Sequence, residues 1–185
     1  MERTQILATE NGATVDFLTV GSGPSVIVIP GMLSVAADFG TFSNALAETF
    51  TVHTIERRGR GRSSPQDAGY CMAIEREDAC ALQKHTRAAY LFGHSYGGLI
   101  ALETARNNAF VKKVAIYEPG LSVNGSIPTT WAPRYERLLA QNKRLDAFVD
   151  RPDERGRSRG RVHKEQRYPG HWQTGWRKCI ECGGA

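Results

Sequence analysis

The chain has 185 residues, of which 41% are hydrophobic and 23% charged, so it is long and apolar enough for one domain with a full core, and wholesale disorder, collagen and coiled coil are excluded. No run reaches the ~18 apolar residues of a membrane span, and the opening residues carry Glu2, Glu10 and Asp16 where a secretory signal needs an apolar block. The charge is uneven: 15 basic residues balance 15 acidic ones before Arg151, whereas residues 151–185 hold nine against four, so the whole net charge of +5 lies in that segment.

Residues 6–8 and 14–20 flank Asn11-Gly12, a hairpin-turn dipeptide, and read as two short antiparallel strands. Residues 25–29, a β-branched run stopped by Pro30-Gly31, suit a strand buried on both faces. Phe39, Phe42, Leu46 and Phe50 recur at helical intervals and predict a helix over 38–50; residues 51–55 form the next strand. An arginine-rich loop over 56–64 precedes a helix over 72–85, a strand over 88–92, a helix over 96–107 and a strand over 111–117. This alternation implies an α/β sheet with parallel inner strands and helices on both faces. From Pro133 the positions of Tyr135, Leu138, Leu139, Leu145 and Val149 predict one more amphipathic helix.

Gly93-His94-Ser95-Tyr96-Gly97 lies where the strand over 88–92 turns into the helix beginning near Tyr96. Such a turn forces the serine into a strained backbone conformation, and strand and helix approach so closely that the positions two before and two after it must lack side chains. It lifts the hydroxyl to a helix N-terminus, where backbone N–H groups favour negative charge. That G-x-S-x-G elbow resembles the nucleophile elbow of the α/β-hydrolase fold. Other segments of residues 1–120 carry the same resemblance: Pro30-Gly31-Met32, like the family's oxyanion loop; Arg58-Gly59-Arg60-Gly61-Arg62-Ser63, like its R-G-x-G-x-S loop, with Glu56 where Asp is commoner; Ile74 to Asp78; and Tyr117-Glu118-Pro119.

The resemblance implies an α/β-hydrolase-like, mostly parallel sheet with Ser95 as nucleophile toward an ester or thioester carbonyl. The N–H groups of Tyr96 and Met32 would hold the oxyanion. It also implies an acyl-enzyme, a small-molecule ester substrate, and neither metal nor organic cofactor. A serine at this position, not an aspartate, points away from the dehalogenase and epoxide-hydrolase branches.

The family places its acid and its base after further strands, and no β-branched run after Tyr117 supplies them. The fold is therefore expected to be incomplete at its C-terminal side: a core over 1–120, the start of a cap over 121–150, and a basic, disordered tail over 151–185, as truncation or a frameshift would produce. Tyr168, Pro169, Gly170, His171 and Trp172 resemble the family's Gly-His loop, which makes His171 the candidate base, and Glu118 is the candidate acid. His53, His85 and His94 read as packed histidines.

Three further expectations come from the residues. The last core strand would be an unprotected sheet edge that favours self-association. The alternatives to catalysis are a hydrolase-like fragment that only binds a ligand, and nucleic-acid binding through Arg155, Arg157, Arg159, Arg161 and Arg167; an unfolded polar segment is the preferred reading of those arginines. Cys71, Cys80, Cys179 and Cys182, without an export signal, read as reduced thiols of a cytoplasmic protein, and Cys179 with Cys182 is a single C-x-x-C that completes no zinc spacing.

Overall fold

The structure is a computed structural model that describes residues 3–121, 130–143 and 146–147. These residues fall into two compact units, one ending at Gly120 and the other starting at Leu121.

The first unit is built on a six-stranded sheet. Its strands are β1 (Arg3–Ala8), β2 (Thr14–Gly21), β3 (Ser25–Ile29), β4 (Thr51–Glu56), β5 (Tyr90–His94) and β6 (Lys113–Tyr117), in the order β1-β2-β4-β3-β5-β6. β1 pairs antiparallel with β2, and β2 antiparallel with β4, as the Asn11-Gly12 hairpin predicts for the first pair. β3 runs parallel to both β4 and β5, and β5 parallel to β6. Parallel neighbours need crossovers, supplied here by α1 (Gly40–Leu46), α2 (Met72–Thr86) and α3 (Tyr96–Ala105).

The period-2 alternation of β3 explains why the sheet is covered twice. Ile27 and Ile29 point to one face, where they join Val15, Phe17, Ile55 and Leu91 under Ala79 and Leu82 of α2 and Ile100 and Ala101 of α3. Val26 and Val28 point to the other, where with Val52 they meet Phe39, Phe42, Leu46 and Phe50. The expectation of helices on both faces therefore holds. Each fully buried Leu or Ile of these clusters stabilises the fold by about 1.5–3 kcal/mol.

This topology also sets where a ligand can enter. The chain leaves β3 for α1 on one face and β4 on one side, and leaves β5 for α3 on the opposite face and β6 on the other side. Between β3 and β5 the connections part, and the crevice beyond the carboxyl ends of two such strands is the usual binding position of an open α/β sheet.

Several expected elements differ in extent. The helix over 38–50 is a 3-10 turn, Ala36–Phe39, followed by the shorter α1. Asp38 Oδ2 accepts the Val35 N–H at 2.9 Å and starts the helical segment early, and Phe50 N–H closes it onto Leu46 O at 2.9 Å. β5 begins at Tyr90 rather than 88 because Ala88 serves the end of α2: Arg87 is left-handed (φ 53°), and Ala88 N–H bonds Gln83 O at 3.3 Å while Gln83 Nε2 returns to Ala88 O at 2.9 Å.

In the second unit α4 spans Ala132–Ala140, with Pro133 in its first turn and Trp131 edge-on to Tyr135 at 5.7 Å. It ends where Asn142 turns left-handed (φ 58°) and Lys143 N–H bonds Leu138 O at 2.9 Å, so the expected continuous helix stops there. Leu145 and Val149 lie outside the described residues, as does the whole of 151–185.

Candidate active site

Ser95 stands between β5 and α3 with φ 52° and ψ −121°, a conformation that ordinary residues avoid and that costs on the order of 1–3 kcal/mol. Two backbone bonds hold it there: Ser95 N–H donates to Tyr117 O of β6 at 2.9 Å, and Ser95 O accepts Gly98 N–H at 2.9 Å. The flanking glycines are required by contact. A Cβ on Gly93 would overlap Gly97 O and lie 2.6 Å from Gly98 Cα; one on Gly97 would overlap Ile29 O and lie 2.6 Å from Pro30 O. The side chain of Ser95 is part-exposed, and a helix leaves its first N–H groups without intrahelical acceptors, so α3 opens beside it.

The second component is the loop after β3. Register places Ile29 opposite Gly93, so Pro30 and Gly31 emerge beside His94 and Ser95. A Cβ on Gly31 would stand 3.2 Å from Ser95 Cβ, which puts the backbone of this loop in contact with the serine turn. Met32, its N–H in the peptide that follows Gly31, is partly buried against the core. The loop is held from outside its own backbone: Arg57 Nη2 donates to Gly31 O at 3.0 Å, Arg60 Nη2 donates to Met32 O, and Ala36 N–H donates to Glu56 Oε1 at 3.1 Å. Burial is the main influence on Glu56, whose carboxyl it pushes above the usual range.

The arginine-rich loop turns inward. Arg57 and Glu75 form an ion pair at 2.8 Å, both 2% exposed. Tyr70 donates its hydroxyl to the same carboxylate oxygen, and the Arg57 guanidinium lies 5.0 Å from the Tyr96 ring centroid. Arg58 pairs with Asp78, and Arg62 with Asp16 at 2.9 Å. Burial, and then the neighbouring Arg57 charge, lower Arg60 to about 10, which still leaves it cationic at neutral pH. The sequence motif located this loop but not its partners. The only signal was Glu75 and Asp78, one helical turn apart and so on one face of α2.

The other candidates are distributed as follows. Glu118 follows β6 with φ 45° and an exposed side chain, one residue beyond the carbonyl that anchors Ser95. His171 lies outside the described residues. His94 stacks on Tyr117 at 5.7 Å and lies 5.9 Å from Phe39, a packed position. His53 bonds Thr19 at 3.0 Å and Ser25, the first residue of β3, at 3.3 Å, at the opposite end of the strands from Ser95. His85 sits edge-on to Phe17 at 6.1 Å.

Cys71 and Cys80 are free thiols, and burial raises Cys80 above the usual thiol range. Among the described residues, no cluster of His, Cys, Asp or Glu is arranged to hold a metal, and no helix is long and apolar enough to cross a membrane.

A twisted, mostly parallel sheet with a strained serine turn at its switch point defines the α/β-hydrolase class. The comparisons agree: the model of the alpha/beta hydrolase family matches residues 26–179, and the chain belongs to that family. It is similar to an alpha/beta hydrolase structure from Sphaerobacter thermophilus, with 33% identity and a TM-score of 0.71 over 79% of this chain and 58% of that one. An uncharacterized hydrolase, YraK, of Bacillus subtilis is 35% identical over 96 residues, which are 50% of this chain and 35% of the relative. N-formylmaleamate deformylase of Pseudomonas putida is 31% identical over 114 residues, 57% of this chain and 41% of the relative. The chain thus spans less than half the length of these two curated relatives.

Proposed function

We propose that this chain carries the serine-bearing half of a hydrolase acting by acyl transfer on a carboxylic ester or thioester. The observation that carries the reading is the conformation of Ser95, held at φ 52° against the Gly31 loop although glycine at that position would be free of strain. In this mechanism Ser95 Oγ bonds to the carbonyl carbon while its proton passes to a base. The carbonyl π electrons move onto oxygen, and the N–H groups of Tyr96 and Met32 stabilise that charge. Collapse expels the alcohol or thiol with the proton, and water repeats the sequence to release the acid and restore Ser95.

His171 is the base in this scheme and Glu118 the group that orients it; the position of Glu118, beyond the strand that anchors Ser95, supports the second role. The similarity to N-formylmaleamate deformylase favours one variant, in which the acyl group is formyl and the leaving group an amide nitrogen.

A fluorophosphonate probe tests the reading. The chain should be labelled on Ser95, located by peptide mass mapping, and Ser95→Ala should remain unlabelled. His171→Ala should slow labelling by several orders of magnitude, since removing the base of a serine hydrolase costs about 10⁶ in turnover. Absence of any Ser95 adduct would leave a protein that only binds its ligand.

A further inference from the structure

The N–H groups of Met32 and Tyr96 can serve an oxyanion only when their peptides are held in one direction. We infer that Arg57 is the positioning residue of the oxyanion site, clamping the Gly31–Met32 peptide with one arm and resting its charge over the Tyr96 ring. The inference rests on the serine reading and extends it to a residue that never touches substrate.

The geometry follows from the peptide plane. The carbonyl and N–H of one trans peptide point in opposite directions, so whatever fixes Gly31 O also fixes the direction of Met32 N–H. Gly31 O accepts the Ser34 N–H at 3.3 Å, a turn closure within the loop, and Arg57 Nη2 at 3.0 Å, a side-chain hold from outside it. The same guanidinium gives Nη1 to Glu75 at 2.8 Å and holds its central carbon over the Tyr96 ring, 5.0 Å from the centroid. Tyr96 is the residue whose N–H is the other donor. One planar group therefore ties the two donor-bearing segments, the loop after β3 and the start of α3, to the Glu75 carboxylate on α2.

The clamp is stiff because it is buried and held from behind. Arg57 and Glu75 are each 2% exposed, and Tyr70, 3% exposed, bonds the carboxylate. Arg60 extends the hold to the next peptide through Met32 O. A lysine keeps the charge toward Glu75 but has neither the second arm nor the face, so Arg57→Lys separates the clamp from the ion pair.

The chain has three methionines, so ¹⁵N-methionine labelling gives a sparse spectrum in which the Met32 and Met72 amides are identified by substitution. In Arg57→Lys the Met32 signal should shift while Met72 holds. Phosphonylation of Ser95 should slow by about tenfold to a hundredfold, below the 10²–10³ of deleting a donor outright, with kcat falling and KM within about twofold. Arg58→Lys, altering a neighbouring buried pair without touching Gly31 or Tyr96, should lower the melting temperature and leave both signals and the labelling rate in place. If Arg57→Lys does not melt cooperatively, the uncharged pair Arg57→Leu with Glu75→Gln, which adds no methionine, is measured in the same way.

An unmoved Met32 signal, or labelling within about twofold of the parent, overturns the clamp. A parent chain that itself takes no label overturns the serine reading, and the clamp's catalytic meaning with it; the two failures are told apart by which protein is inert.

Discussion

Arg58 and Asp78 form a two-pronged ion pair, Nε to Oδ2 at 2.7 Å and Nη2 to Oδ1 at 3.0 Å, which fastens the loop after β4 to helix α2. Burial pushes the Asp78 carboxyl above its usual range even though the guanidinium pulls it back, while the hydrogen bond to Asp78 holds Arg58 above its own. Two outcomes should differ sharply in denaturant titration. Arg58→Met alone strands a buried carboxylate and should cost about 3–5 kcal/mol, whereas Arg58→Met with Asp78→Leu should be near neutral.

The crowding at the serine turn predicts an equally sharp contrast between two glycines. Gly97→Ala forces a Cβ into the carbonyls of Ile29 and Pro30, both backbone atoms of the central strand and its exit, and should destabilise by roughly 3 kcal/mol or more. Gly40→Ala, in the first turn of α1 with open space around its Cα, should be neutral or gain about 0.5–1 kcal/mol. Thermal melts of the two single variants decide it.

Most of this architecture was legible because its signals are local. The β-branched run of β3, the helix-forming composition of residues 72–85 and the glycines at 93 and 97 each declare a backbone state within a few residues. The arginine partners were not legible, because Arg57 finds Glu75 and Gly31 from 18 and 26 residues away, and only the closed sheet brings them together. Arginines on a Gly-rich loop read as solvated or anion-seeking until their carboxylates are located. Boundaries failed where a side chain opened a helical segment early, as at Asp38, or a left-handed residue closed one, as at Arg87. Of the site, Ser95 and the Gly31 loop were read from the motifs, while the base and acid drew on resemblance alone.

Strain at the serine turn predicts an inverse relation between stability and activity. Ser95→Gly relieves a φ of 52° that glycine adopts freely, and should raise stability by about 1 kcal/mol after the added freedom of the unfolded chain is counted. It should also abolish fluorophosphonate labelling. A loss of stability in Ser95→Gly would mean that the hydroxyl, not the backbone, holds the turn.

Among the described residues β6 is the last strand of the sheet order, and Ile116 and Tyr117 on it are 39% and 57% exposed. A strand edge with apolar side chains is a template for pairing with a second copy, the expected occupant here. Sedimentation at rising protein concentration should show association, and Ile116→Lys should reduce it; a monomer at all concentrations would remove this expectation.

His53 gives the fold a defined acid sensitivity. Burial, followed by the charges of His85 and Arg3, lowers its pKa from 6.5 to about 4. The native state thus refuses a proton that the unfolded chain accepts. Stability is fully present above about 6.5, falls as pH drops toward about 4, and is flat below that as far as this group is concerned, with a total loss on the order of 2 kcal/mol. The expected experiment is a series of melts from neutral pH downward on the parent and on His53→Gln, an uncharged side chain beside Thr19 and Ser25. The parent should lose melting temperature through this window more steeply than the variant. Parallel slopes would show that His53 is protonated in the folded protein as easily as in the unfolded one.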